Sequence, residues 1–132
     1  MGKYIVFEKL ISQSFEVVTN KGKEMMVKNL MPNSKDFKHL FRPDYVLKHN
    51  GHTFVIEIEG GVFSNGRHSR GAGMINDMLK YNALISVGIP ILRFESNQIK
   101  EHPIRILSYI QRFADGSITT QYISDFIAFF KK

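Results

Sequence analysis

Tyr4, Phe7, Leu10 and Ile11 recur at helical spacing, which predicts a helix over residues 3–13 with that face in the core. Residues 23–32, KEMMVKNLMP, read as a first strand. Two alternating apolar and polar runs then flank Asn50-Gly51, the residue pair best able to take positive φ twice in succession, and so predict a type I′ hairpin. A two-residue loop fixes the register: Asp44 faces Glu57 and Arg42 faces Glu59. Alternation places Pro43, Tyr45, Leu47, Phe54, Ile56 and Ile58 on one side of this hairpin, and Asp44, Val46, Val55, Glu57 and Glu59 on the other.

A Gly-rich loop, GGVFSNGRHSRGAG, leads into residues 74–87, where Met74, Met78, Tyr81 and Ile85 form an apolar stripe ended by Gly88. This predicts a helix packed through that stripe. Residues 89–94, IPILRF, form a short, nearly continuous apolar strand, and strand, helix, strand in this order implies a right-handed crossover to a parallel neighbour. Pro103 suits the first turn of a further helix, and Gly116-Ser117 separates it from a last one over residues 118–130. The expected fold class is therefore α/β, a mixed central β-sheet flanked by helices. No repeat or linker interrupts the chain, so residues 1–132 are expected to form one domain.

Composition adds a partner class. Lys and Arg total 18 against 12 Asp and Glu, a net charge of +6, which favours an anionic partner, with nucleic acid first. The absence of cysteine removes disulfides, thiolate metal sites and cysteine nucleophiles. No run reaches the roughly 18 apolar residues of a membrane span, and the N-terminal residues lack a signal-peptide pattern, so no membrane partner and a cytoplasmic location are expected.

The acids on the hairpin suggest chemistry. Directly opposed residues of an antiparallel pair hold their Cβ atoms about 4.5–5.5 Å apart, so Asp44 and Glu57 would present two negative groups to one point. A divalent cation resolves their repulsion, because Mg²⁺ accepts one or two carboxylates and fills its shell with water and phosphate oxygens. Such an ion suits phosphodiester hydrolysis. Glu59 could join the metal or pair with Arg42. Arg67 and Arg70 lie in a glycine-rich loop without acids, where guanidinium and backbone N–H groups could reach a phosphate. Lys23, Lys28, Lys35, Lys38 and His39 precede the hairpin and could follow a nucleic-acid backbone.

Taken together, Pro43-Asp44, then Glu57-Ile58-Glu59-Gly60-Gly61, Gly66-Arg67-His68, Arg70, Gly88, Leu92-Arg93-Phe94, Asn97 and Pro103 resemble the PD-(D/E)XK nuclease superfamily. The similarity is closer to its small branch around very-short-patch-repair endonucleases and related phage and bacterial domains, and it spans residues 41–110. The resemblance implies a restriction-endonuclease-like core and a Mg²⁺-dependent endonuclease that acts on DNA, with Mn²⁺ able to substitute. It implies Asp44, Glu57 and Glu59 as metal and catalytic residues, and Arg42, Arg67 and Arg70 as contacts to DNA. One departure stands out: the superfamily's lysine, two residues after the second acid, is Glu59 here. Lys80 on the following helix or His68 in the loop could replace it, and Glu8 or Glu16 could supply the further acid that relatives carry on their first helix. A DNA-binding module that keeps the fold with little or no catalysis is the competing expectation, and a homodimer stays open.

Overall fold

The structure, a computed structural model, describes residues 4–20, 25–26, 40–41, 43–60 and 72–131. Helix α1 (Ile5–Ser14) buries Phe7 and Ile11, and Tyr4 and Leu10 pack partly on the same core, as their spacing predicts. The chain becomes extended at Phe15 and enters β1 (Glu16–Asn20), which pairs antiparallel with β4 (Tyr45–His49). The strand expected at 23–32 is not the first, because β1 precedes it. Within it the structure describes only β2 (Met25–Met26), which pairs with β3 (Leu40–Phe41) in a separate two-stranded sheet, and the remainder lies outside the described residues. The main sheet's opening strand is β1, whose alternation is broken by a register shift between Val17 and Thr19. A bulge of this kind suits an edge strand and hides the period of two from the sequence.

The hairpin forms as its turn chemistry dictates. Asn50 and Gly51 both take positive φ, 52° and 80°, and β5 (His52–Glu59) pairs with β4 from His49↔His52 to Tyr45↔Ile56, the anticipated register. Helix α2 (Ala72–Ser86) then returns the chain to β6 (Ile91–Glu95), which runs parallel to β5 and completes a mixed sheet in the order β1-β4-β5-β6. An α/β architecture follows. A short helix α3 (Ser96–Glu101), not anticipated, is started by the Glu95 carboxylate, which accepts the Asn97 and Gln98 N–H groups at 2.8 and 3.2 Å. Pro103 opens α4 (Pro103–Asp115), left-handed Gly116 closes it, and the Thr119 hydroxyl caps α5 (Thr120–Phe130) by accepting the Tyr122 N–H.

The sheet has a core on each face. On one, Tyr45, Leu47, Phe54, Ile56 and Phe94 meet buried residues of α1, α3 and α4, among them Phe7, Ile99 and Ile110. Phe54 sits edge-to-face against Phe15 and Phe113, binding hairpin to helices. On the other, Val46 and Val55 meet Leu84 and Ile89. Each fully buried side chain of this kind stabilises the fold by roughly 1.5–3 kcal/mol. Among the described residues no helix is long and apolar enough to cross a membrane.

Two residues of the stripe expected to seat α2, Met78 and Ile85, are turned outward, and the Met74 side chain lies outside the described residues. Met78 and Ile85 are 54% and 58% exposed, with Ile75 and Leu79 beside them, while Tyr81 is half-buried and Leu84 fully buried. Asp77, Lys80, Tyr81 and Leu84, spaced three and four apart, make the less exposed face. That face is polar in its first half because it lies over the hairpin acids, as the next section shows.

Candidate functional site

Alternation along β5 sends Glu57 to the α2 side of the sheet, where it is 9% exposed. Asp44 lies one residue ahead of β4, and its Oδ2 accepts the Ile58 N–H at 2.7 Å, satisfying a β5 amide beyond the end of the paired register. This bond ties Asp44 to the strand that carries Glu57. The two carboxyls come within hydrogen-bonding reach of each other, so the predicted convergence of Asp44 and Glu57 holds. Burial first, then Asp44 through its charge and hydrogen bond, then the charge of Glu59 push the Glu57 carboxyl up to about 8, and Lys80 pulls the other way. Two acids share one point, and a proton relieves their repulsion.

Glu59 has a partner that was not anticipated. Arg93 on β6 donates its Nε to Glu59 Oε1 at 2.8 Å, and its guanidinium carbon lies 5.0 Å from the centroid of the Tyr81 ring. Burial raises the Tyr81 hydroxyl above its usual range, and the charges of Glu57 and Asp77 raise it further. Lys80 approaches Asp77 at 3.4 Å and is close enough to Glu57 to act on it, which places this lysine at the site as expected. Of the two N-terminal acids, Glu8 reaches the site's edge: burial raises the Tyr45 hydroxyl first, and the charge of Glu8, then that of Asp44, raises it further. Glu16 is instead exposed on β1 opposite Lys48.

The donor set fits a hard divalent cation in type: two carboxylates, one of them raised by burial and by its acidic neighbour. It is sparse in number. Among the described residues no group of three or more His, Asp or Glu side chains is assembled to hold a metal, and Glu59, expected as a third ligand, is held by Arg93. Asp44 and Glu57 meet the one or two carboxylates that Mg²⁺ needs when water and phosphate supply the rest. Arg42, Arg67, His68 and Arg70, with the lysines and His39 before the hairpin, lie outside the described residues.

Sequence reasoning missed the functional placement of Arg93 and Tyr81. The signal for Arg93 was present in the alternation of Ile91-Leu92-Arg93-Phe94-Glu95, because parallel pairing sets Arg93 beside Glu57 on the acidic face. Tyr81 stands not with the exposed Met78 and Ile85 but on the face of Asp77, Lys80 and Leu84. Compared with family models, with curated proteins and with solved structures, the chain matches none.

Proposed function

We propose that this chain is a metal-dependent endonuclease that hydrolyses phosphodiester bonds in DNA, built on a restriction-endonuclease-like core. The observation that carries this reading is the Asp44 and Glu57 pair on one sheet face, Asp44 partly buried and Glu57 buried and pushed up to about 8. A pair of acids this costly is retained where a cation or a proton is to be exchanged. Asp44 and Glu57 would hold Mg²⁺, which when bound promotes attack of water on phosphorus and offsets the charge that builds on the phosphate. Asp44 is oriented by the Ile58 N–H, Arg93 restrains Glu59, and Lys80 brings positive charge to the rim. Tyr81 lies close enough to Glu57 for their charges to interact, and its ring supports the Arg93 guanidinium. Supercoiled plasmid and branched DNA incubated with Mg²⁺ or Mn²⁺ should be nicked by the native chain, with a loss of at least 100-fold in Glu57→Ala. Absence of nicking by the native chain with either ion overturns the proposal.

The pairing of Glu59 with Arg93 favours a second reading, a DNA-binding module with the same fold and little catalysis, since it takes one acid away from the cation site. Equal DNA affinity and no cleavage by native chain and Glu57→Ala would select it.

A further inference from the structure

Helices α4 and α5 frame a groove of about 540 Å³ whose lining includes His102, Arg105, Ser108, Arg112 and Tyr122. The buried residues of α4 pack on the sheet face opposite the acids, so this groove is separate from the site described above. Arg105 stacks on Phe129 with its guanidinium carbon 3.6 Å from the ring centroid, and Arg112 stacks on Tyr122 at 4.4 Å. Both arginines are exposed, and neither forms an ion pair with a carboxylate among the described residues. Stacking on a ring fixes the plane of a guanidinium while leaving its N–H edges available for a bidentate anion.

We infer that this groove binds the phosphodiester backbone of a nucleic acid. Arg105 and Arg112 are separated by two turns of α4, about 10 Å along the axis, too far to share one phosphate and suited to a ligand with repeated negative groups. The Ser108 and Tyr122 hydroxyls lie in the same lining, and arginine, serine and tyrosine are the side chains that commonly contact phosphate oxygens. Glu101 is the one carboxylate of that lining among the described residues, so the groove's charge balance stays positive. The formal net charge of +6 draws the same ligand class by long-range attraction. An acidic peptide would offer acceptors to the same groups, and competition by poly-glutamate distinguishes the two.

Fluorescence anisotropy with a labelled single-stranded oligonucleotide and with its duplex, in EDTA and at increasing KCl, tests the assignment without any cleavage. It therefore gives an answer whether or not the nuclease proposal survives. Arg105→Gln/Arg112→Gln should bind at least tenfold more weakly at low salt, and the slope of log K against log salt should flatten by about 1.8 on duplex or about 1.4 on single strand. The single variants, each expected to remove about half of that slope, serve if the double variant does not fold. An unchanged affinity and slope in all three variants, or poly-glutamate competing as well as the unlabelled oligonucleotide, would overturn the inference.

Discussion

Arg93 stands beside Glu57 in the parallel register of β5 and β6, yet its Nε donates to Glu59, two residues further along β5. An acid stands at position 59, and the cation that balances it arrives from the next strand. The arrangement keeps charge beside Glu57 nearly balanced without adding a third free carboxylate.

Arg93→Gln therefore separates metal affinity from turnover. Freed from its partner, Glu59 can turn toward Asp44 and Glu57, so calorimetry should show Mn²⁺ bound several-fold more tightly. On the proposed function, cleavage should nonetheless fall at least tenfold, because a positive group beside the acids is lost. The ion pair is half exposed on its arginine side, so thermal stability should change by no more than about 1 kcal/mol. A variant that binds Mn²⁺ more weakly than the native chain would contradict this role.

Glu57 also makes a pH prediction. Its carboxyl is raised from an ordinary value of 4.5 to about 8, so between these pH values the folded chain holds a proton that the unfolded chain has released. The stability contributed by Glu57 is then fully present below about pH 4.5 and is lost as pH rises through about 8, an amount on the order of a few kcal/mol. Glu57→Gln removes the titrating group and keeps its shape. Its melting temperature should match the native chain near pH 4 and exceed it by roughly 10 °C at pH 9. Parallel melting curves for the two proteins across this range would refute the shift.

A bound cation should reverse that dependence. Mg²⁺ competes with the proton on Glu57, so thermal stabilisation by the ion should be larger at pH 8 than at pH 6. A tenfold excess over the dissociation constant corresponds to roughly 1–2 kcal/mol at the higher pH. Glu57→Gln should show almost none of it. Equal stabilisation of native chain and variant would place the ion elsewhere.

The parts of this fold that were legible in the sequence are those in which one local rule acts alone. Asn50-Gly51 sets a turn, the turn sets a register, and the register brings Asp44 and Glu57 together; no long-range information is needed beyond the alternation of the two strands. The buried face of α1 is legible for the same reason. The misreadings have physical causes too. The shift between Val17 and Thr19 conceals β1, and the polar residues that α2 turns toward the acids make its exposed side the more apolar one. Arg93 was readable only once β6 was known to run parallel to β5, a tertiary fact that sets which residue stands next to Glu57.

The register itself can be tested at the turn. Gly51 has φ of +80°, a conformation that costs a β-branched residue roughly 1–2 kcal/mol, and nothing lies within 4 Å of the place its Cβ would take. Gly51→Val should therefore lose about that much stability from backbone strain alone, read by urea titration. Gly51→Asn should lose less than half as much, because asparagine tolerates left-handed backbone. A similar loss for both would mean that the turn conformation is not what stabilises the hairpin.

Leu84 is the described α2 side chain that is fully buried, in contact with the core around Val46 and Val55, and on the same helix face stand Lys80 and Tyr81. Its packing thus holds the helix at the depth that brings those two groups to Glu57. Leu84→Ala should cost about 2–4 kcal/mol, while Leu84→Met, which keeps volume, should cost less than about 1.5 kcal/mol. The functional effect should exceed what lost folded protein explains: at a temperature where Leu84→Ala remains folded by circular dichroism, plasmid nicking should still be at least tenfold slower. Oligonucleotide binding in EDTA, which depends on Arg105 and Arg112 across the sheet, should stay close to native. Native-rate nicking by a folded Leu84→Ala chain would show that α2 does not set the geometry around Glu57.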